Sequence, residues 1–149
     1  MRTNHPGDSR EYPKGCDIAS FDIYPASHEK KEIAGNLWYV PQGVDRLRSW
    51  TDGRKGVCCC IETTRISNPD RKPTPEQVRS EVWMALIHGA RGIIYFAHQF
   101  KPKFVEAGLL ADEGMSREVA AVKRQIHELA PVLNGPDVAA GMAGHFARL

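Results

Sequence analysis

Three strand-like runs alternate with helical patterns along the chain. The runs cover residues 17–24, 56–64 and 92–97. Runs that are nearly continuous in apolar character are typical of strands in a parallel sheet that is covered by helices. The order strand, helix, strand, helix, strand, helix therefore predicts an α/β fold with parallel strands and right-handed crossovers.

The helix between the second and third runs has the clearest local signals. The segment 74–77 reads Thr-Pro-Glu-Gln, a capping box with Pro at the first helical position, and Gly89 follows the last apolar position. A second helix is predicted over 117–133 with Ser116 as its N-cap, and a shorter one around 44–50. Each crossover thus contains one helix.

Cys58, Cys59 and Cys60 are consecutive in the second run. Neighbouring residues of a strand point to opposite faces, so the three thiols are not placed to hold one tetrahedral zinc ion. Free cysteine packs like a small hydrophobic residue. We therefore predict buried, reduced strand residues here.

Composition and charge fit a single globular domain. The chain has 149 residues, with 20 Lys and Arg against 18 Asp and Glu, and the basic residues are scattered. No basic tract indicates nucleic acid or an acidic membrane as partner. No uncharged stretch approaches the roughly 18–20 residues of a membrane helix, and the polar N-terminus lacks the apolar run of a secretory signal.

Acidic, aromatic and imidazole side chains occur where the three runs end. In a parallel α/β protein these carboxyl ends meet at one edge of the sheet, where ligands bind. Because side chains alternate along a strand, Asp22 shares a face with Tyr24, and Phe96 shares one with His98. The candidate site residues are Asp22, Tyr24, Glu62, Phe96 and His98.

Three motifs carry a family resemblance. They are Asp-Ile-x-x-x-Asp-x-Tyr-Pro from residue 17, Ile-Glu-Thr-Thr from residue 61, and the segment 75–96 from Pro-Glu-Gln-Val to Ile-Ile-Tyr-Phe. Together they resemble the last three βα units of retaining glycoside hydrolases with a (β/α)8 barrel, the TIM barrel. The likeness is to β-galactosidase-type enzymes such as glycoside hydrolase family 42, and residues 75–100 are its most specific part.

The resemblance implies a partial barrel that contains strands six to eight within residues 17–135. Residues 1–16 would be a polar N-terminal segment, and residues 136–149 a C-terminal tail or the start of a linker. A complete barrel takes about 250 residues, so the chain would supply only its C-terminal portion.

The resemblance also implies roles for the candidate residues. Glu62 falls on the nucleophile, and Tyr24 on the residue that donates a hydrogen bond to it. Asp22, Phe96 and His98 would contact a carbohydrate substrate, with His98 at a position that is usually Trp in the family. The reaction would be a double displacement that needs neither metal nor organic cofactor.

The family's acid/base Glu lies after strand four, which this chain does not contain. We therefore expect the isolated chain to hydrolyse no glycoside and to self-associate through an exposed sheet edge. Two alternatives stay open. One is a non-catalytic carbohydrate-binding or structural barrel remnant; the other is a metal-dependent TIM-barrel hydrolase, although the sequence has no His-x-His pair.

Overall fold

The computed structural model describes residues 10–135, a three-stranded sheet and three helices. Residues 1–9 and the predicted tail 136–149 lie outside the described part. A 3-10 turn over Tyr12–Gly15 precedes the first strand. The elements are β1 (Ile18–Asp22), α1 (Tyr39–Trp50), β2 (Gly56–Glu62), α2 (Pro75–Ile87), β3 (Gly92–Phe96) and α3 (Glu113–Leu133).

The sheet is entirely parallel, with β2 in the centre of the order β1-β2-β3. This confirms the predicted α/β class and the parallel strands. Both β1 and β3 are edge strands within residues 10–135, and self-association through an edge stays a prediction. None of the helices in this range is long and apolar enough to cross a membrane.

Within residues 10–135 the helices cover one face of the sheet and leave the other uncovered. On the covered face, Phe21, Val57 and Ile61 join helix residues in one hydrophobic core. On the opposite face Ile18 is 62% exposed and Ile94 is 48% exposed. We call this second face the open face; it is formed by Ile18, Ser20, Asp22, Cys58, Cys60 and Ile94.

The cysteine run is divided between the two faces. Cys59 is fully buried in the core, whereas Cys58 and Cys60 are only half-buried on the open face. All are free thiols, as is Cys16. The prediction of buried strand residues is therefore correct for Cys59 and wrong for its two neighbours, because no helix in the described part of the chain covers their side of the sheet.

Two helices begin earlier than predicted. α1 starts at Tyr39 and has Pro41 in its first turn, where a missing N–H costs nothing. α3 starts at Glu113 because the Asp112 side chain accepts a hydrogen bond from the Met115 N–H at 3.0 Å. The prediction of Ser116 as N-cap was therefore wrong, since its hydroxyl donates instead to the Leu109 carbonyl.

The predicted cap of α2 is confirmed. The Gln77 N–H donates to Thr74 Oγ1 at 3.2 Å, and the Thr74 N–H donates to Gln77 Oε1 at 2.9 Å. Gly89, with φ of +94°, occupies the left-handed conformation directly after the helix. Local sequence chemistry thus sets both ends of this helix.

Thr74→Ala should lower the free energy of unfolding by about 0.5–2 kcal/mol, because it leaves the Gln77 N–H without its partner. Urea unfolding measures the change. Ser80→Ala is the matched control: its hydroxyl bonds only to the Glu76 carbonyl one turn earlier in the same helix, so its effect should stay within about 0.5 kcal/mol. Equal losses for the two variants would contradict the capping account.

Candidate functional site

Three of the predicted site residues terminate the three strands. β1 ends at Asp22, β2 at Glu62 and β3 at Phe96. The strand register places Glu62 opposite Phe96, and Asp22 opposite Cys60. Because the strands are parallel, these residues meet at the carboxyl edge of the sheet, which is the usual ligand edge of α/β proteins.

Glu62 is fully buried and is held by the backbone of the turn that follows β1. The Ala26 N–H donates to one carboxylate oxygen at 2.5 Å, and the Ser27 N–H donates to the other at 2.8 Å. Burial raises the pKa of this carboxyl, and the hydrogen bonds from Ser27 and Ala26 oppose part of that rise. Both oxygens of Glu62 therefore have a fixed backbone partner.

Tyr24 follows β1 by two residues and lies beside Asp22. Its ring packs against Phe96 with centroids 5.4 Å apart and planes inclined by 56°. Burial raises the pKa of the phenol, and the carboxylate of Asp22 beside it adds to the rise more strongly than Glu62 does. Among the hydrogen bonds of residues 10–135 none joins Tyr24 to Glu62, which is bonded to the turn at Ala26 instead.

His98 is exposed just beyond β3. Its Nδ1 contacts the backbone carbonyl of Glu106. Because a carbonyl only accepts hydrogen bonds, Nδ1 carries a proton here, and a neutral ring has its acceptor at Nε2. A donor such as a hydroxyl group of a ligand could bind that nitrogen.

Aromatic rings continue from Tyr24 across the carboxyl edge and onto the loop after β3. Phe96 lies 6.0 Å from His98 and 5.8 Å from Phe100 between ring centroids, and Phe100 lies 5.8 Å from Phe104. Phe100 is 45% exposed and Phe104 is 60% exposed. We call this set the aromatic strip; its members are Tyr24, Phe96, His98, Phe100 and Phe104.

Two threonines fix the start of the loop that carries the strip. The Thr63 hydroxyl donates to the Phe96 carbonyl at 2.6 Å, and the Thr64 hydroxyl donates to the His98 carbonyl at 2.5 Å. Both threonines are buried. Neither was among the predicted site residues, although two hydroxyl residues directly after a strand are a signal for such bonds to a neighbouring chain segment.

Glu81 is a second buried carboxyl, and it was not among the predicted site residues. It lies in α2 on the face of Val78 and Ala85, is fully buried, and interacts with Glu62. The signal was a charged residue on the apolar face of an otherwise amphipathic helix, three positions after Val78. The site therefore contains a buried pair of carboxyl groups.

Within residues 10–135 no group of three or more His, Cys, Asp or Glu side chains is arranged to hold a metal ion. Asp22 and Cys60 are neighbours on the open face. In the described residues they have no third ligand beside them.

No protein family, no curated protein and no solved structure matches the chain.

Proposed function

We propose that this chain supplies the strand-six to strand-eight side of a retaining glycoside hydrolase site in a (β/α)8 barrel, of β-galactosidase type. Three βα units in sequence order, with one covered and one open sheet face, fit a segment of such a barrel. The open face would be the barrel interior. The observation that carries the proposal is the meeting of Glu62, Tyr24 and Phe96 at the carboxyl edge.

Glu62 is the proposed nucleophile of a double displacement. As a carboxylate it attacks the anomeric carbon, while a second carboxyl group about 5–5.5 Å away in the complete barrel protonates the leaving oxygen. Both Glu62 oxygens are bonded to backbone N–H groups. Each oxygen keeps a second lone pair for attack, but the side chain is fully buried, so the turn at Ala26 and Ser27 must shift to admit the sugar.

The aromatic strip is the proposed sugar platform. Exposed rings present flat apolar faces against which the C–H face of a pyranose packs, and the Nε2 of His98 supplies a polar contact. Phe100 and Phe104 extend the platform beyond the sheet edge, with ring centroids 5.8 Å apart.

A non-catalytic carbohydrate-binding remnant is the second candidate. It is favoured by the complete burial of Glu62 and by the exposure of Phe100 and Phe104. Both candidates predict sugar binding at the strip. Only the hydrolase predicts that Glu62 forms a bond to the sugar.

Phe100→Ala and Phe104→Ala should each weaken binding of a galactoside to the chain by about threefold to tenfold, because each removes one ring face. Titration calorimetry or ligand-observed NMR measures the affinity. The matched control is Tyr12→Ala: Tyr12 is 75% exposed but belongs to the turn near Lys55, which lies before β2. Equal galactoside affinity in all three variants would contradict the proposal that the aromatic strip binds the sugar.

A further inference from the structure

Glu62 and Glu81 form a buried pair with one unsatisfied member. Each side chain is fully excluded from solvent. Glu62 accepts from two backbone N–H groups, whereas neither oxygen of Glu81 receives a hydrogen bond from any donor within residues 10–135. An ionised carboxylate that is buried without donors is costly.

Within residues 10–135, no cationic side chain pairs with Glu62 or Glu81, so two ionised carboxylates would have no counter-charge. Across the described range, neither carboxyl takes part in an ion pair with Lys, Arg or His. The titratable groups that face the pair are the Cys59 thiol of β2, which interacts with Glu81, and the Tyr24 phenol, which interacts with Glu62. Both are neutral near pH 7, because burial raises the pKa of each.

We propose that Glu81 is a positioning residue that stays protonated at neutral pH and donates a hydrogen bond to the carboxylate of Glu62. The pair then carries one negative charge, which the Ala26 and Ser27 N–H groups hold on Glu62. The catalytic part of this inference rests on the proposed function. If Glu62 is the nucleophile, the hydrogen bond from Glu81 on α2 would keep it ionised and oriented.

The hydrogen-bond partners of the two carboxyl groups decide which of them carries the proton. Burial raises the pKa of Glu81 well above its ordinary value, and the Glu62 charge raises it further. Burial also raises the pKa of Glu62, but donors from the turn and from Glu81 lower it again. The proton therefore belongs on the carboxyl that has no other donor, which is Glu81.

The pair makes stability depend on pH in a definite direction. Because folding raises the pKa of Glu81 above about 4.5, its contribution to stability is complete below that pH and is lost as the pH rises through the folded pKa. In Glu81→Gln, the side-chain amide can still donate an N–H to Glu62, but it does not titrate. The urea midpoint of this variant should therefore fall less between about pH 5 and pH 8 than that of the unchanged chain.

Glu29→Gln is the matched control for the stability measurement. It removes one exposed glutamate charge from the surface. The pH dependence of this variant should follow that of the unchanged chain. A Glu81→Gln variant with the same pH dependence as the control would overturn the proposal.

Carbon NMR of the full chain with labelled glutamate locates the proton directly. We expect one side-chain carboxyl resonance at the position of a protonated acid at neutral pH, and its loss in Glu81→Gln. A spectrum with every glutamate ionised, or a protonated resonance that persists in Glu81→Gln, would overturn the proposal. A chain that binds no sugar but shows this resonance would refute the proposed function and leave the protonated pair in place.

Discussion

Replacing Glu62 by Ala in a complete barrel that contains this segment should lower the turnover of an aryl galactoside by on the order of 10^4 to 10^6-fold. The reason is that Glu62 is the proposed nucleophile, and Ala leaves no carboxylate at that position to form the glycosyl ester. Azide or formate should restore part of the turnover, because a small anion can fill the space that the missing carboxylate leaves. Steady-state kinetics with and without azide measures both effects.

The control for this variant is Glu29→Gln, which changes an exposed carboxyl on the loop after β1. Its turnover should equal that of the unchanged barrel. A Glu62→Ala barrel with undiminished turnover would refute the nucleophile assignment. Intact sugar binding with no turnover in the unchanged barrel would instead favour the non-catalytic remnant.

Gly43→Ala should lower the free energy of unfolding by about 1–3 kcal/mol. A Cβ at Gly43 would overlap the Phe21 ring, which is buried between α1 and the sheet. This overlap outweighs the gain of about 1 kcal/mol from the better helix propensity of Ala. Urea or thermal unfolding of the chain measures the loss.

Two further variants test the physical reason for that loss. Gly56→Ala places a Cβ where no atom lies within 4 Å, so its stability should change by no more than about 0.5 kcal/mol. Combining Gly43→Ala with Phe21→Leu should cost less than the sum of the two single changes, because the smaller side chain leaves room. Additive losses would show that the contact between α1 and Phe21 is not the cause of the stability loss in Gly43→Ala.

Local chemistry explains why α2 was predictable and the starts of the other helices were not. Thr74 and Gln77 satisfy each other's backbone N–H groups, so the pattern needs no distant partner. For α3, Asp112 and Ser116 are both good N-cap residues, and the choice depends on the contact between Ser116 and the Leu109 carbonyl. Sequence alone does not rank two plausible caps four residues apart.

The site was predictable in its position but not in its bonding. Strand ends and alternation were enough to bring Asp22, Tyr24 and Glu62 to one edge. The partners of Glu62 come from a turn 35 and 36 residues earlier in the chain, and no periodic pattern encodes that contact. Glu81 was visible as a charge on an apolar face, but its partner depends on how α2 packs on β2.

Backbone chemical-shift mapping of the labelled chain during titration with a galactoside tests the central claim most directly, that the carboxyl edge of the sheet is a carbohydrate site. We expect saturable shifts in the aromatic strip, largest at Phe100 and Phe104, with no change at Tyr12. Absence of saturable shifts in the strip, or shifts confined to the opposite end near Tyr12, would contradict it.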